Sequence, residues 1–543
     1  MAVLQDGALA VEVRDGAVGA VMSGGVEVLR GLTYPVRNAD WGTYLTRTVA
    51  EEAGPRSYRR DFVEAGGAFS GTFRAEVSDG RLVAEVSFAF PQGARVNRAG
   101  FTLLHPIRGV GGSDLTIRHP DGRETRTTFP ALVSPAQPAR DIAGMAHSVG
   151  GVGVDIAMEG EVFEMEDQRN WSDASFKTYC RPLSLPFPYD IAPGETVRQR
   201  IVLTARPGPA GTGAPVDAAP MVARLPQVML AHEAGLSDLA ALEAFPGVPV
   251  LFRLTPETPE TDLRAVAGRA GTALEIVLDD LPGLEVLIGR TKFAGLAPVR
   301  VTALPRGYLK SHQPEGPWPD GATPADALAP LRAAFPGVPV GGGSLTNFTE
   351  LNRCRPDPAT VDFVTFGNTA IVHAADDLSV WQTLEALPDI FASAAGIAGG
   401  KPLHLGLISI GMRSNPYGAE VAPNPEGLRL PMAMDDPRQG TGFAAAYAVA
   451  VLARAAVAGV ESLALAMPGG PPGARGPLAD VVRAAAALAG RKVRIAETGG
   501  VVTIDAGAAA LAANCTAAPV AAPGPGLPPL PPESVALRNG PSR

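Results

Sequence analysis

The strongest constraint on this chain lies in its second half, where eight short apolar runs alternate with helical patterns. The runs are Val228–Ala231, Val250–Leu254, Leu274–Leu278, Val299–Leu304, Val338–Gly341, Phe363–Phe366, Leu405–Ile410 and Leu463–Ala466. Helical periodicity separates several of them, at Leu236–Phe245, Pro259–Ala270, Ala325–Phe335 and Val380–Ala394, and follows the last at Pro477–Leu488. Strands covered on both faces read as continuous apolar text, because neither side chain direction meets water. Eight such strand–helix units predict a closed (β/α)8 TIM-type barrel. A doubly wound open sheet is the alternative.

The first half has a different rhythm. Residues 2 to about 204 read as short strands with period-2 alternation and turn signals, which predicts an antiparallel β-sandwich. In Arg81 to Phe90, Leu82, Ala84, Val86, Phe88 and Phe90 fall on one face. Asp15-Gly16 follows one such run, Ala8 to Val13, and Asp79-Gly80 and Asp121-Gly122 are hairpin signals. The stretch Arg206 to Pro215, rich in Pro, Gly and Ala, reads as a linker. The expected division is a sandwich over 1–207, the barrel over 222–490, a small C-terminal β segment over 491–520 and a disordered Pro-rich tail over 521–543.

The 543 residues exceed one ordinary core, and at 46% apolar and 19% charged the chain can bury several. A net charge of -9 argues against nucleic acid, whose phosphates require clustered Lys and Arg. Three widely spaced cysteines, Cys180, Cys354 and Cys515, provide no disulfide framework and no CxxC metal pair, which fits a reducing compartment. No basic-then-apolar leader opens the chain, and the Ala-rich run Phe443 to Val460 is interrupted by Arg454, so it reads as a buried helix. A cytoplasmic protein with no membrane partner is expected.

Barrel chemistry comes from the segments that follow each strand. Here these offer His232 and Glu233, then Asp279 and Asp280, then Tyr308 to Gln313 with Lys310. After the fifth run comes a polar loop, Gly341 to Arg353, whose three glycines would let a ligand approach the backbone. It carries Asn347, Glu350, Asn352 and Arg353; an N-capped turn with solvated polar residues is the competing reading. His373 and Asp376 lie three residues apart, so the carboxylate could orient the imidazole, although a helix cap at Asp376 or Asp377 explains the pattern equally. Arg413 follows the seventh run. In the sandwich half, Phe163 to Tyr179 packs charges beside Trp171, Phe176 and Tyr179, which suits a hydroxylated ligand or a seam of salt bridges. No HExxH, Walker A or dinucleotide fingerprint is present, and Gly342 to Thr346 matches only half of GxSxG, so neither a cofactor, a metal nor a nucleophile elbow is expected.

These segments resemble the D-apionate lactonase family. The stretch from Glu166 through Tyr179 is similar to its hallmark, as are Asp40-Trp41-Gly42-Thr43-Tyr44, Leu104-His105-Pro106, and Phe129-Pro130 with Ser134 to Pro138. In the barrel half, Gly341 to Gly343, Phe348 to Arg353, and Val372-His373-Ala374 with Asp376-Asp377 are similar too, so the likeness spans roughly residues 28 to 415. Thr369 departs from the family's Pro, and Tyr308 to Gln313 with Trp318 suggests a divergent branch. The resemblance implies a β-sandwich, a TIM-type barrel, a C-terminal β part, and hydrolysis of D-apionolactone to D-apionate.

Opening a lactone requires a base for water, donors for the oxyanion and an acid for the leaving alkoxide. Placement nominates Glu350 or His373 as base, with Asp376 orienting His373. It nominates Arg413, Asn347 and Lys310 as oxyanion donors, and Glu166, Arg169, Asn170, Trp171, Lys177 and Arg353 as substrate-holding groups. The alternative enzyme is a glycoside hydrolase, pairing Glu350 with Glu233 or Asp279. A carbohydrate-binding protein without catalysis is the third class.

Overall fold

The computed structural model describes residues 1–208 and 219–538, in two compact units. The expected linker falls largely on 209–215, outside the described residues; Arg206 and Pro207 close the long strand Glu195–Pro207.

The first unit comprises residues 1–168 and 174–208. It holds two nine-stranded antiparallel sheets and a three-stranded one. The strand Arg81–Phe90 buries alternate residues as its pattern demands, with Leu82, Ala84, Phe88 and Phe90 sealed. Asp79-Gly80 joins it to Ser70–Ser78 with Arg81 opposite Ser78, and both turn residues have positive φ. Asp15-Gly16 does the same between Leu9–Arg14 and Ala17–Ser23. These are the two-residue turns whose twist matches that of paired strands.

Within this unit His105 and His147 lie 6.0 Å apart, packed against Phe129. His105 Nε2 bonds the Thr178 hydroxyl at 2.9 Å, whereas its Nδ1 and both nitrogens of His147 are buried with no side-chain or backbone partner of ordinary geometry. Burial holds both rings neutral, lowering His105 to about 3 and His147 to about 4. The unfolded chain therefore binds more protons below pH about 6.5 than the folded one, so stability falls as pH drops, by about 1.4 kcal/mol per pH unit per proton. Replacing His147 with Leu removes one proton and two unpaired polar atoms. The expected outcome is a shallower loss of Tm between pH 6.5 and 4; parallel Tm–pH curves for variant and wild type would contradict it.

The second unit contains a closed barrel of eight parallel strands in chain order. They are Gln227–Glu233, Val250–Leu254, Ala273–Leu278, Arg300–Pro305, Val340–Asn347, Phe363–Thr369, His404–Ser409 and Ser462–Ala466. All eight apolar runs became strands. Met229, Ala231, Leu251, Ala273, Leu407, Ala464 and Met467 form one buried cluster, so alternate strand residues fill the lumen as a packed core. The Ala-rich run became the buried helix Gly442–Val457, and no helix among the described residues is long and apolar enough to cross a membrane.

Three expectations need correction. The stretch Gly341 to Arg353 is no loop: the strand continues to Asn347 and a short helix, Phe348–Arg353, follows directly. Its glycines serve packing. A Cβ on Gly341 would lie 2.2 Å from the Phe363 ring, and Gly343, at φ 124°, would drive one against the Thr365 carbonyl. The tail is ordered to residue 538, because Ser534–Arg538 pairs with Ala510–Asn514 and Leu527 and Leu530 are buried. It completes a five-stranded sheet with Met221–Arg224, Lys492–Thr498 and Val501–Asp505, beside the Gly442–Val457 helix; the last residues, 539–543, lie outside the described range. Finally, residues 169–173 pack with the barrel unit, although the chain on either side belongs to the sandwich.

Candidate active site at the carboxyl ends of the barrel strands

The top of the barrel lumen is charged. Glu233, Arg253 and Glu275 stand on the first three strands and Arg413 follows the seventh. Arg253 reaches Glu275 at 2.9 Å and Glu233 at 3.4 Å. Arg413 reaches Glu233 at 2.8 Å and Glu275 at 3.0 Å. Burial opposes ionisation of Glu233, but the two guanidiniums outweigh it and hold its carboxyl below the usual range. The four charges neutralise one another, as burial requires. One donor is left over: Arg413 Nη2 is buried without a partner. It borders a small cavity, of about 10 Å³, lined also by Asn347, Asn368, Ser409 and Ser414.

Glu350 divides its carboxylate. Oε2 accepts from the Asn347 backbone N–H at 3.0 Å and from the Thr346 hydroxyl at 3.1 Å, which closes a capping box on the short helix. Oε1 is buried with no partner of ordinary geometry, in a pocket shared with Ser344, Arg353, Tyr308 and Trp318. Burial pushes Glu350 up to about 7, against the opposing pull of Asn347 N–H, Ser311, Thr346 and Arg353. The capping reading from sequence is met by Oε2, whereas Oε1 takes no part in the cap. The buried Tyr417 phenol bonds Thr349 at 3.0 Å; burial and then the Glu350 charge raise its pKa well above the usual value.

The five residues 169–173 are fixed to this end of the barrel. Arg169 pairs with Asp389 at 2.8 Å and is sealed from solvent. Asn170 accepts from the Thr349 hydroxyl at 2.6 Å through its carbonyl, and from Asn352 at 3.0 Å through Oδ1. The Trp171 ring has the Arg353 guanidinium 4.9 Å from its centroid and the His373 ring at 6.0 Å. Ser172 donates to Asn368 Oδ1 at 2.5 Å.

Residues 1–208 match the family described as D-apionate lactonase, N-terminal domain, and residues 261–492 match D-apionate lactonase, TIM barrel domain. A D-apionate lactonase of Brucella anthropi is 37% identical over 513 residues, covering 86% of this chain and 82% of that one. The chain belongs to the D-apionate lactonase family. Two solved structures are remotely similar. A galactose mutarotase-like protein from Lactobacillus casei covers 38% of this chain and 99% of its own at 9% identity and TM-score 0.28. An α-galactosidase from Geobacillus stearothermophilus covers 97% and 92% at 10% identity and TM-score 0.26. At such scores neither carries an argument about this lactonase-family chain.

Several nominated residues of this family member are otherwise engaged. Asp376 does not meet His373. It caps the helix Asp377–Ala398, accepting from Ser379 N at 3.0 Å and from the Ser379 hydroxyl at 2.6 Å, because an N-cap carboxylate satisfies the helix's free N–H groups. His373 bonds Asp173 instead, at 2.6 Å. The Lys310 ammonium directs its donors at the carbonyls of Asn415, Gly418 and Ala419, so it ties down the loop after the seventh strand. In the sandwich unit, Glu166 and Lys177 face each other across paired strands and bridge at 2.7 Å. Asn347 Nδ2 lies 3.5 Å from Tyr417, and Arg353 donates to Ser311 at 3.1 Å. Ser344 is bonded to Thr346 at 2.9 Å. His232 bonds Ser237 and Asp262 and stacks on Phe252, turned away from the lumen.

Asp173, Ser172 and Asn368 fall in segments that the sequence singles out, but it assigns them no role. The first two stand inside the hallmark stretch and the third at the end of the sixth strand. Their partners lie about 200 residues away in the chain, beyond any local pattern.

Proposed function

We propose that this protein opens a sugar lactone, D-apionolactone or a similar aldonolactone, by activating water with Glu350. The observation that carries this reading is the buried Oε1, without a hydrogen bond of ordinary geometry, of a carboxyl that burial pushes up to about 7. A base with a pKa near the operating pH combines availability with proton affinity. His373 is more exposed, and its Nδ1 is taken by Asp173, which suits it to holding a substrate hydroxyl at the mouth beside Trp171.

In the proposed reaction Glu350 takes a proton from water and the hydroxide attacks the lactone carbonyl carbon. The tetrahedral oxyanion is stabilised by Arg413 Nη2. Collapse breaks the ring C–O bond, and the protonated Glu350 returns its proton to the departing alkoxide. The hydroxy acid then ionises at neutral pH, releasing one proton per turnover.

The glycosidase reading has less support. Glu233 and Glu275 are each bound by two guanidiniums, which suits them to balancing charge rather than to exchanging protons. The test is acid release in a pH-stat across a panel of aldonolactones with apionolactone included, alongside aryl glycosides. Acid release from a small-ring aldonolactone is expected. Phenol release from a glycoside without lactone hydrolysis would replace this reading with the other enzyme class.

A further inference from the structure

The donor end of the cavity holds more than Arg413. Asn368, at the end of the sixth strand, is 4% exposed and borders the same cavity. Its Oδ1 is occupied by Ser172, and its Nδ2 is buried with no partner. A buried amide N–H₂ without an acceptor costs free energy unless a ligand completes it. Two such orphan donors, Asn368 Nδ2 and Arg413 Nη2, therefore border one small cavity, from the sixth strand and the loop after the seventh.

Each donor is fixed from behind. Arg413 is held by Glu233 and Glu275 through its other nitrogens. Asn368 is held through Ser172, which sits at φ 74° and whose N–H bonds Arg169 O at 3.0 Å. That conformation is unfavourable for a residue with a Cβ and persists where the surroundings impose it. Here they do: Arg169 is locked by Asp389, and Asn170 by Thr349 and Asn352. An acceptor on Asn368 that is already engaged leaves its amide only one role toward a ligand, that of donor.

We infer that Asn368 Nδ2 and Arg413 Nη2 together form the oxyanion hole for the lactone carbonyl, and that Ser172 is a positioning residue that orients the Asn368 amide. This rests on the lactonase reading above. Preorganised donors act on the charge that develops in the transition state, so their loss should appear in kcat more than in KM.

The experiment is steady-state hydrolysis of the lactone turned over fastest by the wild type, for Asn368→Ala, Asn368→Asp, Ser172→Ala, Ser172→Thr and the Asn368→Ala/Ser172→Ala double variant, each checked by Tm. Asn368→Ala is expected to lower kcat about 10²–10³-fold with KM little changed, as for loss of one oxyanion donor. Asn368→Asp keeps the shape and the Ser172 acceptor but replaces the donor with an oxygen, and should fall at least as far. Ser172→Ala should lower kcat about tenfold, Ser172→Thr should restore most of it, and the double variant should match Asn368→Ala, since coupled residues are not additive. Normal kcat in a folded Asn368→Ala or Asn368→Asp variant overturns the inference while leaving the lactonase reading intact. A wild type that hydrolyses no lactone overturns both.

Discussion

Glu350→Gln should lower kcat about 10²–10⁴-fold, the contribution of a positioned general base. The variant is clean because Gln retains a side-chain oxygen for the Asn347 N–H and so keeps the capping box, which accepts Glu or Gln at that position. Folding should survive, and KM should change little. The pH dependence supplies a second reading. With Glu350 near pH 7, the base is unavailable below that value, so wild-type kcat/KM should rise with pH through about 7. The linkage has the opposite sense for stability. A carboxyl raised above its unfolded value keeps its proton in the folded state between pH about 4.5 and 7, and its stabilising contribution is lost as pH rises through 7. Glu350→Gln does not titrate, so its Tm should gain on the wild type between pH 5 and 8. A variant retaining kcat within tenfold of wild type, with an unchanged acid limb, would remove Glu350 from the reaction.

Glu275→Leu should destabilise the protein by about 3–5 kcal/mol, the usual consequence of removing one partner from a buried ionic cluster. Glu275 Oε2 is shared by Arg253 and Arg413, and without it two buried guanidiniums must rely on Glu233 alone. The remaining charge cannot be neutralised by deprotonation, because a guanidinium keeps its proton at any ordinary pH. Activity should fall as well, since Arg413 loses one of the two anchors that aim its free nitrogen. Thermal unfolding of variant and wild type measures the first effect. Equal Tm values would mean that water reaches these groups and that the barrel top is not the dry electrostatic cluster described here.

The barrel was readable because its strands are covered on both faces, which leaves continuous apolar runs such as Leu274–Leu278. Boundaries were less so. Gly341 to Gly343 reads as a loop because glycine weakens strands. Here the Phe363 ring and the Thr365 carbonyl fill the space a side chain would take, and no local pattern reports that. The helix Leu281–Phe293 opens on Leu-Pro-Gly, which reads as a break. Proline in the first turn costs no hydrogen bond, however, and Asp280 caps the helix by accepting from Gly283 N. In the site, Glu350 and Arg413 were reached by counting along the strands. His373 was nominated with the wrong carboxylate, because spacing of three favoured Asp376, whereas Asp173 is 200 residues distant.

The detour of residues 169–173 also bears on how this polypeptide is made and how it could be divided. Asn170 leaves the ribosome 179 residues ahead of the threonine that will hold it, and Ser172 precedes its amide partner by 196. Contacts of such separation form late, after the loop entropy has been met. During synthesis this pentapeptide must wait, strained and unsatisfied, between strands that can already pair. A recombinant fragment beginning at residue 219 would lack it altogether, so gene fusion or shuffling at the interdomain boundary would transplant a barrel without part of its own upper wall.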